Sequence, residues 1–232
     1  MARGRLVVVE GLDGSGKETQ TNLLRASLIE RGIDLRSLSF PRYGSASSAL
    51  VRMYLSGQFG SNPDDVGAYA ASTFYAVDRY ASYKSDWKGF YEAGGMVLAD
   101  RYTTSNAVHQ CAKLPREEWD GFLDWLFDFE YDLLGIPEPD LVIYLSMDSA
   151  ASRRLVEERC AREGVAKDIH EADGAYLDRC REAADHCALR CGWKRVECAP
   201  EGKLRSIEDI HEEVSRLMEK ECFGEHRKLE QH

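Results

Sequence analysis

Five short apolar runs, at 5–10, 35–40, 96–100, 140–146 and 193–198, are separated along the chain by stretches with helical spacing. Each run has the length of a strand. Their alternation with helices predicts an α/β fold: a five-stranded parallel sheet covered on both faces, in three α/β/α layers. Leu23, Leu24, Leu28 and Ile29 have the spacing of a helix following the first strand. Asn62-Pro63-Asp64-Asp65 predicts a helix start, with Asn as cap, Pro in the first turn and acids at the positive end. That helix is expected to run to the late eighties, and another piece to end at Gly94-Gly95. Leu114-Pro115-Arg116-Glu117-Glu118 opens a further helix. Ser206 with Asp209 caps the last, whose expected stripe is Ile207, Ile210, Val214 and Leu217. The pattern holds no internal repeat or long linker, so a single domain is expected over 1–222, with a charged, frayed tail at 223–232.

The first strand leads into the most informative stretch of the chain. Glu10-Gly11-Leu12-Asp13-Gly14-Ser15-Gly16-Lys17-Glu18-Thr19 joins a buried strand to a helix through three glycines. Glycines there let backbone N–H groups point inward, where a side chain would block an anion. The helix start adds its positive dipole end and Lys17 adds a full charge. The stretch matches the phosphate loop G-x-x-x-x-G-K, making the expected fold the P-loop version of the three-layer architecture. One position departs from the pattern: Glu18 stands where Ser or Thr would hold magnesium.

The formal charge of −10 argues against general nucleic-acid binding, so an anionic substrate needs a local basic pocket. No run approaches a membrane span, and the N-terminus enters a strand without a signal-peptide pattern. Seven cysteines, an odd number without C-x-x-C, point to neither a disulfide framework nor a zinc ribbon. Cys180, Cys187 and Cys191 share a helix face with Tyr176, Leu177, Ala184 and Ala188, and buried core is the preferred reading. A metal site using His186 or His170 is the other. A cytoplasmic location fits these features.

Four further constellations carry chemistry. Met96-Val97-Leu98-Ala99-Asp100-Arg101 is a buried strand ending in an acid and a base. Beside a phosphate loop such an Asp orients magnesium, whereas alone it would read as a salt bridge at a strand end. Arg42, in Phe40-Pro41-Arg42-Tyr43, follows the second strand and is aimed at the crevice along the carboxyl ends of the strands. Tyr75 and Arg79 share a helix face, distinct from the stripe of Phe74, Val77 and Ala81 that is expected to pack inward. They fit either a base-binding pair or an ordinary surface pair. Arg153, Arg154, Arg159, Arg162 and Lys167 fall in a strongly charged segment around Gly164. This segment, about 153–171, reads either as a lid closing over phosphates or as a solvated helix face.

Together these pieces resemble thymidylate kinases, in the nucleoside-monophosphate kinase branch of P-loop proteins. The resemblance runs in order through the phosphate loop, Phe40-Pro41-Arg42-Tyr43, Tyr75-Ala76-Val77-Asp78-Arg79, Asp100-Arg101-Tyr102 with Ser105-Asn106, and Pro137-Glu138-Pro139-Asp140-Leu141. It implies phosphorylation of dTMP to dTDP with ATP and Mg²⁺, by in-line transfer in a homodimer. Gly11, Gly14, Ser15, Gly16, Lys17, Glu18 and Thr19 would then bind ATP. Asp13, Arg42 and Arg101 would hold the acceptor phosphate, and Asp100, Asp13 and Glu18 the metal. Tyr75 would stack on the base, Arg79 and Asn106 would meet its edge, and His109 would lie near the sugar, where the family often has Tyr. Because the loop position that carries a catalytic arginine in some members is Gly14, the lid would supply one from Arg153, Arg159 or Arg162, with Arg159 favoured. Two other readings stay open: another nucleotide or deoxynucleoside kinase, and a non-catalytic nucleotide-binding module whose magnesium site has decayed at Glu18.

Overall fold

The computed structural model describes residues 3–163, 169, 170 and 173–224. Five strands, β1 (Arg5–Glu10), β2 (Leu35–Ser39), β3 (Met96–Asp100), β4 (Leu141–Ser146) and β5 (Lys194–Glu197), form one parallel sheet in the order β2-β3-β1-β4-β5. Between and after them lie α1 (Lys17–Glu30), α2 (Ala49–Leu55), α3 (Ala68–Ser82), α4 (Lys88–Glu92), α5 (Thr103–Cys111), α6 (Trp119–Phe127), α7 (Ser149–Glu163), α8 (Gly174–Arg190) and α9 (Ile207–Met218).

The central strand β1 shows why its sequence reads as an unbroken apolar run. Leu6 and Val8 pack into a core with residues of α5, α6 and α8, while Val7 and Val9 pack into the opposite core with Leu24, Leu28 and Val214 of α1 and α9. A strand covered on both faces has no solvent side to mark with polar residues. The predicted three-layer, five-stranded architecture is the one observed. Cys180 and Cys187 are fully buried in the first core, as small hydrophobes. His186 is paired instead with Asp120 at 2.8 Å, and no cluster suited to a metal occurs among the described residues.

Three expectations about helices need correction. Asn62 opens only a short turn, Pro63–Asp65, closed by the Asn62 backbone N–H donating to Asp65 Oδ2 at 3.0 Å. The chain is then extended at Val66, whose carbonyl accepts from Lys113 Nζ at 3.0 Å, and α3 begins only after Gly67. It continues through a wide helical turn, Tyr83–Trp87, into α4.

The inward face of α3 is also not the predicted one. Ala71, Ser72, Ala76, Asp78, Arg79 and Ser82 are buried, whereas Val77 is 49 % exposed. In α9 the buried stripe is Ile210, Val214 and Met218, while Ile207 at its open end is 51 % exposed. The helix expected from Leu23, Leu24, Leu28 and Ile29 is α1, in which Leu24 and Leu28 are buried while Leu23 and Ile29 face outward.

Candidate active site

The carboxyl end of β1 delivers Glu10 and then the loop 11–16. Gly14 and Gly16 adopt left-handed φ of 80° and 84°, which L side chains rarely accept. At Gly14 a Cβ would lie 2.6 Å from the carbonyl of Ser152, so α7 also packs directly on the loop. The Ser152 hydroxyl donates to the Asp13 carbonyl there. Gly16 caps α1, whose first N–H groups have no intrahelical acceptor and form an anion site. Lys17 Nζ is buried, donates to the Leu12 carbonyl at 2.8 Å and lies 3.7 Å from Asp13 Oδ1. Burial and then the Arg101 charge push its ammonium below the ordinary value.

Arg101 follows β3 with φ of 64°, uncommon for a residue other than glycine. That backbone turns its guanidinium onto the end of β1. Nη2 donates to Asp13 Oδ1 at 2.5 Å, and Nη1 reaches Ser105 Oγ at 3.3 Å and approaches Glu10 Oε1 at 3.8 Å. Burial opposes the charge, but Asp13, Glu10 and Asp100 outweigh it and hold Arg101 above its ordinary value. Beside it, Asp100 Oδ1 is buried and has no hydrogen-bond partner among the described residues.

Two cavities open from this point. One, of about 490 Å³, runs along the phosphate loop and the start of α1, and takes in Leu155, Arg162, Leu204 and Arg205. The other, of about 260 Å³, lies between α3 and α5 and is lined by Phe40, Tyr75, Arg79, Asn106, His109 and Gln110, among others. Both include Asp13, Asp100 and Arg101. An acidic and basic junction between a phosphate-binding cavity and an aromatic-lined one is the arrangement needed to pass a phosphoryl group from one ligand to another.

A family model of thymidylate kinase matches residues 9–219. The chain belongs to the thymidylate kinase family. Among its relatives, the thymidylate kinase of Mycobacterium tuberculosis (strain ATCC 25618 / H37Rv) is 30 % identical over 176 residues, covering 75 % of this chain and 81 % of that one. The thymidylate kinase of Homo sapiens is 27 % identical over 227 residues, covering 94 % and 91 %. The solved structure of thymidylate kinase from Candida albicans superposes with a TM-score of 0.68 at 20 % identity, over 95 % of this chain and 93 % of that one, and shares its fold.

Within a chain of this family, the structure brings together most of the residues singled out from the sequence. Asp13, Gly14, Ser15, Gly16, Lys17, Glu18 and Thr19 line the loop cavity; Glu18 and Thr19 are exposed there. Gly11 precedes them at the end of β1, where a Cβ would meet the Leu145 carbonyl at 2.8 Å. Tyr75, Arg79, Asn106 and His109 line the second cavity, so the surface-pair alternative for Tyr75 and Arg79 does not hold. Tyr75 stands edge-on to Tyr54, with ring centres 6.5 Å apart.

Among the residues expected at the acceptor, Arg42 is the exception. Its backbone N–H donates to Asp78 Oδ2 at 2.7 Å, but its guanidinium turns outward to Asp86, at 3.3 Å, and Ser82. The acid on the following helical turn draws it away from the crevice, and Tyr43 lines the cavity in its place.

In the lid segment, α7 covers residues up to 163. Arg162 lines the loop cavity, whereas Arg153 is turned to Asp178 at 3.0 Å on the surface and Arg154 is exposed beside Glu158. The Arg159 side chain and Lys167 lie outside the described residues.

Several site residues carried no local signal in the sequence. Glu10 is buried and accepts from Thr104 Oγ1 at 2.6 Å and Ser105 Oγ at 2.8 Å, fixing the start of α5 against the loop. Gln110 lines the second cavity with both amide atoms buried and without partners among the described residues. A glutamine one position after His109 on α5 was the available clue. His170 stacks on His109 with ring centres 5.3 Å apart and pairs with Tyr54 Oη at 2.8 Å. Burial, then His170 and Arg101, hold His109 well below the ordinary imidazole value. Burial and Lys113 bring His170 down to about 3, so the stacked pair is neutral near pH 7.

Proposed function

We propose that this chain transfers the γ-phosphoryl group of ATP to the phosphate of dTMP, giving ADP and dTDP. The observation that carries this reading is the junction at Asp13, Asp100 and Arg101, common to the phosphate-loop cavity and the aromatic-lined cavity. ATP takes the loop side, with its β- and γ-phosphates against the first N–H groups of α1 and Lys17. The dTMP takes the other side, its base against Tyr75 and its edge toward Arg79, Asn106 and Gln110. The acceptor phosphate is already an anion, so no side chain has to remove a proton from it. Arg101 holds that phosphate beside the donor while Lys17 and a lid arginine, Arg162 or Arg159, offset the charge on the transferred group.

The junction also suits a hard divalent cation. Asp100, with an unpartnered buried oxygen, and Asp13 are oxygen donors that would hold magnesium, with Glu18 in reach of the loop side. Bound there, the ion would neutralise part of the triphosphate charge.

The reading extends to a homodimer, favoured by the outward apolar residues Tyr69, Val77 and Tyr80 of α3. It also extends to the cytoplasm, where seven free cysteines stay reduced.

The test is product identification with ATP and a panel of nucleoside monophosphates and nucleosides across a magnesium series. Turnover of dTMP to dTDP, in preference to the nucleosides, is expected. Absence of turnover at every magnesium concentration would overturn the proposal.

A further inference from the structure

We propose that Glu130 is a positioning residue that gives the acceptor cavity its preference for a keto pyrimidine over an amino pyrimidine. The inference rests on the acceptor reading above and adds a residue that does not itself line the cavity. Glu130 lies in the wide helical turn Asp128–Leu133 that follows α6, and it is fully buried.

Its carboxylate accepts four hydrogen bonds. Oε2 accepts from Arg79 Nε at 2.7 Å and Thr103 Oγ1 at 2.8 Å. Oε1 accepts from Arg79 Nη2 at 2.5 Å and Asn106 Nδ2 at 3.2 Å. A buried carboxylate is tolerable only when it is satisfied in this way.

Two of the three donating residues, Arg79 and Asn106, line the cavity wall, and Glu130 fixes what each has left for a ligand. Arg79 is 2 % exposed and cannot lose its proton, so it is an obligate donor. The bidentate contact consumes its Nε–Nη2 edge; Nη1 donates one hydrogen to the Tyr102 carbonyl at 3.4 Å and keeps the other for a ligand. Asn106 has both hydrogens of Nδ2 engaged, one on Glu130 and one on the Ser72 carbonyl at 3.1 Å. Both partners are acceptors, so the amide cannot be turned round, and only its oxygen remains for a ligand.

Arg79 and Asn106 therefore offer one fixed donor and one fixed acceptor, while the Gln110 amide, unpartnered among the described residues, can present either end. A base edge with a carbonyl beside a ring N–H complements both. An edge with an amino group beside an unprotonated ring nitrogen is reversed at both positions. Buried polar groups left unmatched discriminate strongly between ligands of equal size. Without the carboxylate, Asn106 is held by the Ser72 carbonyl alone and Arg79 loses its bidentate anchor, so the reading of the edge is loosened.

The test compares equilibrium binding of dTMP, dUMP and dCMP to the wild-type protein and to Glu130→Gln, with the Michaelis constant for ATP as control. In the variant, dTMP and dUMP are expected to weaken together by about tenfold or more, dCMP by less than about twofold, and ATP not at all. Equal weakening of all three monophosphates, or of none, would overturn the role of Glu130. Should Glu130→Gln fail to fold, Glu130→Asp keeps the neutralising charge but cannot reach all four donors. The ratio of dCMP to dTMP dissociation constants should then fall at least about threefold, and an unchanged ratio would overturn the proposal. A wild-type protein that binds dTMP and dCMP alike would overturn the acceptor reading itself, whatever the variants do.

Discussion

The two cavities that meet at Arg101 recognise their ligands by different means. The phosphate-loop side is made largely of backbone: the residues from Gly11 to Lys17 are contiguous, and their glycines and the start of α1 supply the donors. The acceptor side is made of side chains from the end of β2, α3, α5 and His170, two of them held in place by a buried carboxylate from a fifth stretch of chain. Phosphate is the same in every nucleotide, so a local backbone nest suffices for it. A base must be told from other bases, and that takes donors and acceptors of fixed polarity, each needing its own support.

The comparison makes predictions that can break it. The largest effect is expected at the loop. Lys17→Met should lower kcat by about 10²–10³-fold, the loss typical of a preorganised charge at the transferred group, with the fold intact by circular dichroism. A kcat within threefold of wild type would remove Lys17 from the transfer step.

On the acceptor side, Tyr75→Ala should raise the dTMP Michaelis constant by about tenfold, from the ~1–3 kcal/mol of a base stacked on an aromatic ring. The ATP constant should stay within about twofold. Equal changes in both would mean that the two cavities are not separate in function.

The smallest effect concerns stability. Burial, and then Lys113, push His170 down to about 3 from the ordinary imidazole value of about 6.5 and hold it in its neutral form. A histidine with a folded-state value below its unfolded one contributes stability above the unfolded value and loses it as pH falls toward the folded one. The window is therefore pH 6.5 down to 3. By pH 5.5 the loss from this group is about 1 kcal/mol. Denaturant unfolding at pH 7.5 and 5.5 should show His170→Phe losing less stability on acidification than the wild type. Equal losses would mean that the histidine pair is not held neutral by the fold.

Legibility in the sequence follows the same division. The strands could be read because burial on both faces of a parallel sheet leaves a continuous apolar run, as in Leu6–Val9. The loop could be read because its spacing is contiguous. The face of α3 could not, because the partner that draws Arg79 inward is 51 residues further along the chain. A helical wheel sees Arg79 as polar and Val77 as apolar, and the structure inverts them. The start of α3 departs from the helix signal at Asn62 for a similar reason. Asn62 and Pro63 carry a genuine turn signal, but Lys113 holds the Val66 carbonyl out of any continuing helix. Arg42 follows the end of a strand as its sequence position implies, yet the direction of its guanidinium depends on Asp86, which no motif links to it.

The sequence by itself determined the sheet, the phosphate loop and the family, because each rests on backbone geometry or burial that a few consecutive residues impose. Only the tertiary structure decided which polar side chains face the acceptor, that Arg42 does not, and that Glu130 stands behind those that do. Side-chain polarity in a buried cavity is set by pairing between distant segments, and pairing has no period along the chain.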